Sequence, residues 1–166
     1  MKILSAKEIR DWDQFTITHE PISSPDLMER AAGKCVEWLE KHGYSRKHFS
    51  QILDALRFIE EEVSVHNHKE EAALFPVLER YVEGPTRTMR DDHRKLKRGF
   101  LKLSSAIRLV NKRRDSFSAI KRLSTVSQEV VQQFVNHIHK ENYILFPLVQ
   151  KFLTKDELRE IAKKML

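Results

Sequence analysis

Cysteine is nearly absent: Cys35 is the single one in 166 residues. No internal disulfide can form, and the count fits a reducing, cytoplasmic compartment. A lone Cys reads first as a small buried hydrophobe. Glycine and proline are scarce too, at four and five. So few breakers, beside long apolar periodicities near 3.5 residues, argue for an all-α protein. No apolar run approaches the roughly 18 residues that cross a bilayer, so no membrane partner is expected. The opening MKILSAKEIRDWD carries acids early and has no apolar stretch, which argues against a secretory signal. The length suits one domain, residues 1–166, with a real core.

Charge is present in quantity but unevenly. The net value is +6, and Thr86–Arg122 holds 13 Lys and Arg against three Asp. Elsewhere acids outnumber bases, 21 to 17. The plain reading is the solvated face of an amphipathic helix. The sharper one is a patch for an anionic partner such as nucleic acid.

Caps and breakers divide the chain. Ser5-Ala-Lys-Glu8 is a capping box for a short helix to about Ile17. Glu20–Pro25 is a connector, with Ser24 and Pro25 as N-cap and first helical residue. Helix A should then run to about His42 and stop at Gly43; helix B from Ser45 or Arg46 to the region of Pro76. Gly84-Pro85 reads as a turn, helix C as Thr86 to Lys112, and helix D as Phe117 to Phe152. Thr154-Lys-Asp-Glu157 is a second capping box, opening a last helix to Leu166. The expected architecture is an antiparallel up-down four-helix bundle over 25–153, with short flanking helices in 1–24 and 154–166.

One peptide occurs twice. His66-Asn-His-Lys-Glu70-Glu-Ala-Ala-Leu-Phe-Pro76 returns 71 residues later as His137-Ile-His-Lys-Glu141-Asn-Tyr-Ile-Leu-Phe-Pro147. Each copy places a His and a Glu four apart, one turn apart on the same helix face. The inward stripes decide how to read them. Helix B gives Ile52, Leu56, Ile59, Val63, His66, Glu70, Ala73 and Val77. Helix C gives Met89, His93, Leu96, Phe100, Leu103, Ile107 and Val110. Helix D gives Ile120, Leu123, Ser127, Val130, Phe134, His137, Glu141, Ile144 and Leu148. Five ionisable groups thus lie on core seams. An unpaired buried carboxylate costs several kcal/mol or shifts its pKa strongly. A shared cation explains all five at once.

Level along the bundle narrows the set. His93 and His137 each lie 22 residues from the C–D turn near Asp115, and His66 lies 22 from the A–B turn near Tyr44. A helix-A ligand should come from around position 22. His42 and His48 sit at the turn itself, about 30 Å away at about 1.5 Å per residue. His19 is the nearest histidine; Asp26 and Glu29 are the carboxylate candidates. His68 and His139 are about 200° around from their neighbours and read as outward. Glu71 has no counterpart in the second copy, where Asn142 stands, and reads as a support to the ligands. Phe100 and Phe134 should help wall the pocket. Pro76 and Pro147 should break or kink each helix just past the site.

These three motifs, HxHKEExxLFP, Met89-Arg-Asp-Asp-His93 and HIHKExxxLFP, resemble the hemerythrin-like, HHE cation-binding family over about Phe49–Phe152. The resemblance implies an up-down four-helix bundle with non-haem iron, two ions with a bridging oxo or hydroxo group. It makes His66, His93 and His137 terminal ligands and Glu70 and Glu141 bridging carboxylates. Members usually carry a histidine on the first bundle helix; here the second iron would be weakly held, ligated by His19 or by a carboxylate such as Asp26 or Glu29, or absent. The implied activity is binding or sensing of O2, NO or peroxide, or handling of iron, rather than catalysis. A di-iron oxidase or peroxidase is one alternative. An interaction module with a degenerate site, using basic helix C on an anionic partner, is another. Met1–Leu39, especially HEPISSPDLMERAA, also resembles the N-terminal helices of NAD(P)H-hydrate epimerase. That enzyme's Gly/Asn-rich nucleotide loop is missing from the chain, so its activity is not expected.

Overall fold

The computed structural model describes residues 34–165, apart from the side chains at 58 and 59. The expected first helix, the connector and the Pro25 helix start lie outside these residues, as do His19, Asp26 and Glu29. Every regular element among the described residues is helical. In order they are α1 (Val36–His42), α2 (Arg46–Lys69), a π-helical turn (Glu70–Leu74), α3 (Phe75–Leu78), α4 (Gly84–Lys112), α5 (Phe117–Lys140), a second π turn (Glu141–Leu145), α6 (Phe146–Phe152) and α7 (Lys155–Met165). None of the helices searched is long and apolar enough to cross a membrane.

The breakers act largely where expected. Gly43 ends α1 at φ 82°, and its N–H reaches Leu39 O at 2.9 Å. That backbone conformation favours glycine. Gly84-Pro85, expected as a turn, instead opens α4, because a proline in the first helical turn sacrifices no hydrogen bond. The turn falls earlier, at Glu79–Tyr81. Buried Thr86 secures it with its hydroxyl, which lies 2.7 Å from Glu79 Oε1 and 2.9 Å from Glu83 O and shares its one proton between them. Arg90 also bonds Glu79 and holds its carboxyl below the usual range. The second capping box forms as read: Thr154 N–H donates to Glu157 Oε2 at 2.9 Å, and Glu157 N–H returns to Thr154 Oγ1 at 3.3 Å.

The contacts define two compact units. The first contains Val63–His93 and residues 137–165. Its core joins Leu74, Phe75 and Leu78 to Met89, Leu145, Phe146 and Val149, and to Leu158, Ile161 and Met165 of α7. Each such side chain contributes about 1.5–3 kcal/mol by leaving water. The second contains residues 34–62 and Arg94–Asn136. Its buried residues include Leu39, Phe49, Ile52, Leu56, Phe100, Leu103, Val110, Leu123 and Phe134. Gly99 of α4 lies directly against α5: a Cβ there would stand 2.9 Å from Val130 Cγ2 and 3.1 Å from Gln133 Oε1. Cys35, expected as a buried hydrophobe, is only half-buried, with its Sγ 3.8 Å from Gln51 Oε1.

Candidate metal centre

Both copies of the repeated peptide make the same backbone feature. In each, the α-helix widens to a π turn beginning at the glutamate. Phe75 N–H bonds to Glu70 O and Phe146 N–H to Glu141 O, five residues apart in both cases. A proline comes next in each copy. Proline lacks the N–H and crowds the carbonyl four residues back. The wider turn relieves that crowding, so neither proline ends its helix; α3 and α6 continue through them.

The extra residue also rotates the helix beyond it. Ile144 and Leu148, expected on the inner stripe, are exposed and half-buried, while Leu145, Phe146 and Val149 are buried in their place. Beyond Glu141 the π turn therefore carries the stripe one position onward, which 3.6-residue periodicity cannot register, whereas in the first copy Ala73 and Val77 stay buried as expected. Before the turns the phase holds. His68 and His139 are exposed, while Glu70, His93, His137 and Glu141 are buried and His66 is half-buried.

These five side chains meet inside the first unit. One ligand-capable atom from each of Glu70, His93, His137 and Glu141 lies within 4.8 Å of all the others, and the group could hold a metal ion. His93 Nε2 is 3.2 Å from Glu70 Oε2, and His137 Nε2 is 2.8 Å from Glu141 Oε1. His66 Nε2 stands outside that tightest group, 3.4 Å from Glu70 Oε1 and 3.5 Å from Glu141 Oε1. The two oxygens of Glu70 thus face different imidazoles. The rings of His93 and His137 meet edge to face, 4.9 Å between centres, so these two histidines come level as the count from the turn required.

Contact is not the same as hydrogen bonding here. Glu70 Oε1 and Oε2, His93 Nε2 and both ring nitrogens of His137 are buried and make no hydrogen bond. Orphaned polar atoms at such depth each cost about 1–3 kcal/mol. A cation at their meeting point would satisfy them together, and imidazole with carboxylate suits a transition metal. The residues present therefore fit such an ion. Protonation shifts arise from the same crowding. Burial alone would push His66 down; Glu70 and then Glu141 outweigh it and hold the imidazole well above its ordinary value. His93 is raised in the same way, by Glu70 and then Glu71 against burial. Burial would raise Glu141, but His137 and His66 bring it down to about 2.

Supporting groups surround the cluster. His93 Nδ1 lies 2.6 Å from Glu71 Oε1, so its other nitrogen, Nε2, is left facing Glu70. Glu71 thus supports the cluster through a partner 22 residues away, beyond the reach of local spacing. Phe75 stacks on the His93 ring at 5.7 Å and carries Arg90 on its face. Beside the cluster, Lys140 Nζ donates to buried Asp92 at 2.5 Å. Asp92 and Lys140 each precede a cluster residue in the chain, a signal that carries meaning only once the fold brings the two together. Phe100 and Phe134, expected to wall the pocket, are buried among the residues of the second unit. There too, Trp38 stacks on His48 at 3.9 Å and lies against His42 at 4.8 Å, which accounts for both histidines.

The model of the hemerythrin HHE cation binding domain matches residues 26–149. The chain belongs to that family. No curated protein matches it. The HHE match spans every residue of the cluster and agrees with a group of side chains that could hold a metal ion.

Proposed function

We propose that this HHE chain holds a non-haem di-iron centre and uses it to bind or sense a small oxidant such as O2, NO or peroxide. His66, His93 and His137 are the terminal ligands in this reading, and Glu70 and Glu141 are the bridges. The observation that carries it is the set of buried, unbonded nitrogens and oxygens on Glu70, His93 and His137. The division of Glu70, one oxygen toward His66 and one toward His93, supports a bridging role. His19 is proposed to complete the set. An iron pair supplies reversible ligand binding and one-electron chemistry. The chain's own residues orient the imidazoles, and Phe75, Leu74 and Leu145 exclude water. The family match, with short connections at Glu79–Glu83 and Arg113–Ser116, supports the antiparallel up-down bundle as part of the same reading.

Metal analysis with an optical spectrum tests this directly. Protein made in iron-rich medium should carry two irons per chain and absorb in the near-ultraviolet. His137→Ala and Glu141→Ala should lose iron, whereas His68→Ala and His139→Ala, on the exposed face, should keep it. Iron-free wild-type protein would sink the proposal. Steady consumption of O2 or peroxide would replace binding with catalysis.

A further inference from the structure

The basic excess of this chain is confined to one stretch. Arg94–Asn136, in the second unit, holds eleven Lys and Arg against Asp115 and Glu129. All eleven cations are exposed. In the rest of the chain acids outnumber bases, 22 to 19. A helix face that serves only to meet solvent commonly alternates sign, since opposite charges at i,i+4 stabilise it by about 0.2–0.5 kcal/mol per pair and like charges cost as much. On α4 from Arg94 onward the charged i,i+4 neighbours are Arg94 and Arg98, Arg98 and Lys102, and Arg108 and Lys112, all like-charged. No ion pair joins Lys97, Arg98, Lys102, Lys112, Lys121 or Arg122 to a carboxylate among the described residues. The pattern works against helix stability, and at Lys97, Arg98 and Lys102 no carboxylate offsets it among the described residues.

We propose that the exposed face of α4, with the first turns of α5, docks the phosphate backbone of a nucleic acid. From Arg94 to Lys112 the face runs about 27 Å at about 1.5 Å per residue. That is roughly eight base pairs of duplex at about 3.4 Å each. An extended, evenly charged rod matches a stripe of this length. A lipid surface matches it less well, because interfacial helices insert an apolar face. The apolar side of α4 is occupied in the core through Leu96, Phe100, Leu103 and Val110. Only Leu101 and Phe117 remain as exposed large hydrophobics on Arg94–Asn136. Binding is to the backbone and independent of base sequence.

This surface does not depend on the metal centre, and its test is separate. Fluorescence anisotropy with a labelled duplex of roughly 20 base pairs should show affinity falling about 500-fold between about 50 and about 200 mM salt, as five phosphate contacts require. The triple variant Lys97→Glu, Arg98→Glu, Lys102→Glu should lose at least about 100-fold in affinity at the lower salt. A control with the same charge change on α7, Arg159→Glu, Lys163→Glu, Lys164→Glu, should stay near wild type. Unchanged circular dichroism and iron content in the triple variant exclude misfolding; if it misfolds, the glutamine versions of the same three positions replace it. The proposal is overturned if duplex and matched RNA both fail to bind at the lower salt. Equal losses in control and patch variants, which would mean net charge alone, also overturn it. So does binding to phosphatidylcholine–phosphatidylserine vesicles with no binding to either nucleic acid.

Discussion

Glu71 decides which nitrogen of His93 faces the cluster. At 2.6 Å from Nδ1 it accepts a hydrogen bond from the N–H there, so that when the ring is neutral the Nε2 lone pair is the one left on the cluster side, beside Glu70. Carboxylates placed behind ligand histidines in this way typically change metal affinity by 10–100-fold. Glu71→Gln should therefore weaken iron binding by about that factor while the number of ions at saturation stays the same. Chelator competition measures the affinity, and unchanged competition would show that Glu71 is only a surface acid. The second copy has Asn142 at the matching position, and it is exposed. His137 Nδ1 is buried with no hydrogen-bond partner. The two halves of the repeat are thus chemically unequal, and Asn142→Ala should leave affinity where it was.

Among the elements, Gly99 and the two π turns show what spacing reveals and what it hides. Gly99 lets α4 approach α5 closely. Gly99→Ala would gain about 1 kcal/mol of helix propensity, but the new methyl meets Val130 Cγ2 at 2.9 Å. Valine is stiff about χ1, and overpacking of this kind costs about 1–3 kcal/mol. The variant should melt lower than wild type, against the usual gain from replacing a helical glycine. A higher melting temperature would mean that α5 shifts freely. Helix ends were legible because caps act locally: Gly43, Arg46, Lys112, Phe117 and the Thr154 box all stand where the sequence placed them. So were His66, Glu70, His93, His137 and Glu141, because 3.6-residue phase and distance from a turn together bring them level. The stripe beyond Glu141 was not, because a single inserted residue exchanges Ile144 for Leu145 without altering composition or caps. Pro147 is a visible sign of the irregularity: a break or kink is expected there, and the helix accommodates it by widening. The pairing of Glu71 with His93 needed tertiary contact that no local pattern contains.

For the molecule as a whole, a cluster of two buried carboxylates and three histidines makes stability depend on pH and, with a metal bound as proposed, on that metal. Without metal, charge pairing inside the cluster is the compensation available. His66 and His93 have raised folded pKa values, so their contribution is complete below the ordinary 6.5 and is lost as pH climbs through the folded values. Glu141 is depressed to about 2 from 4.5, so its contribution is complete above 4.5 and is lost as pH falls toward about 2. The metal-free protein should be most stable between about 4.5 and about 6.5, and weaken on both sides. Metal reverses the alkaline limb. Ligand histidines must be neutral, so loading at neutral pH releases the protons that His66 and His93 hold, and affinity rises with pH. Thermal melts of chelated and iron-loaded protein across pH should therefore diverge most above about 6.5. Calorimetry in buffers of different ionisation enthalpy should register the released protons. Parallel melting curves with no proton release would show that the histidines are already neutral, and that the carboxylates are balanced by something other than them.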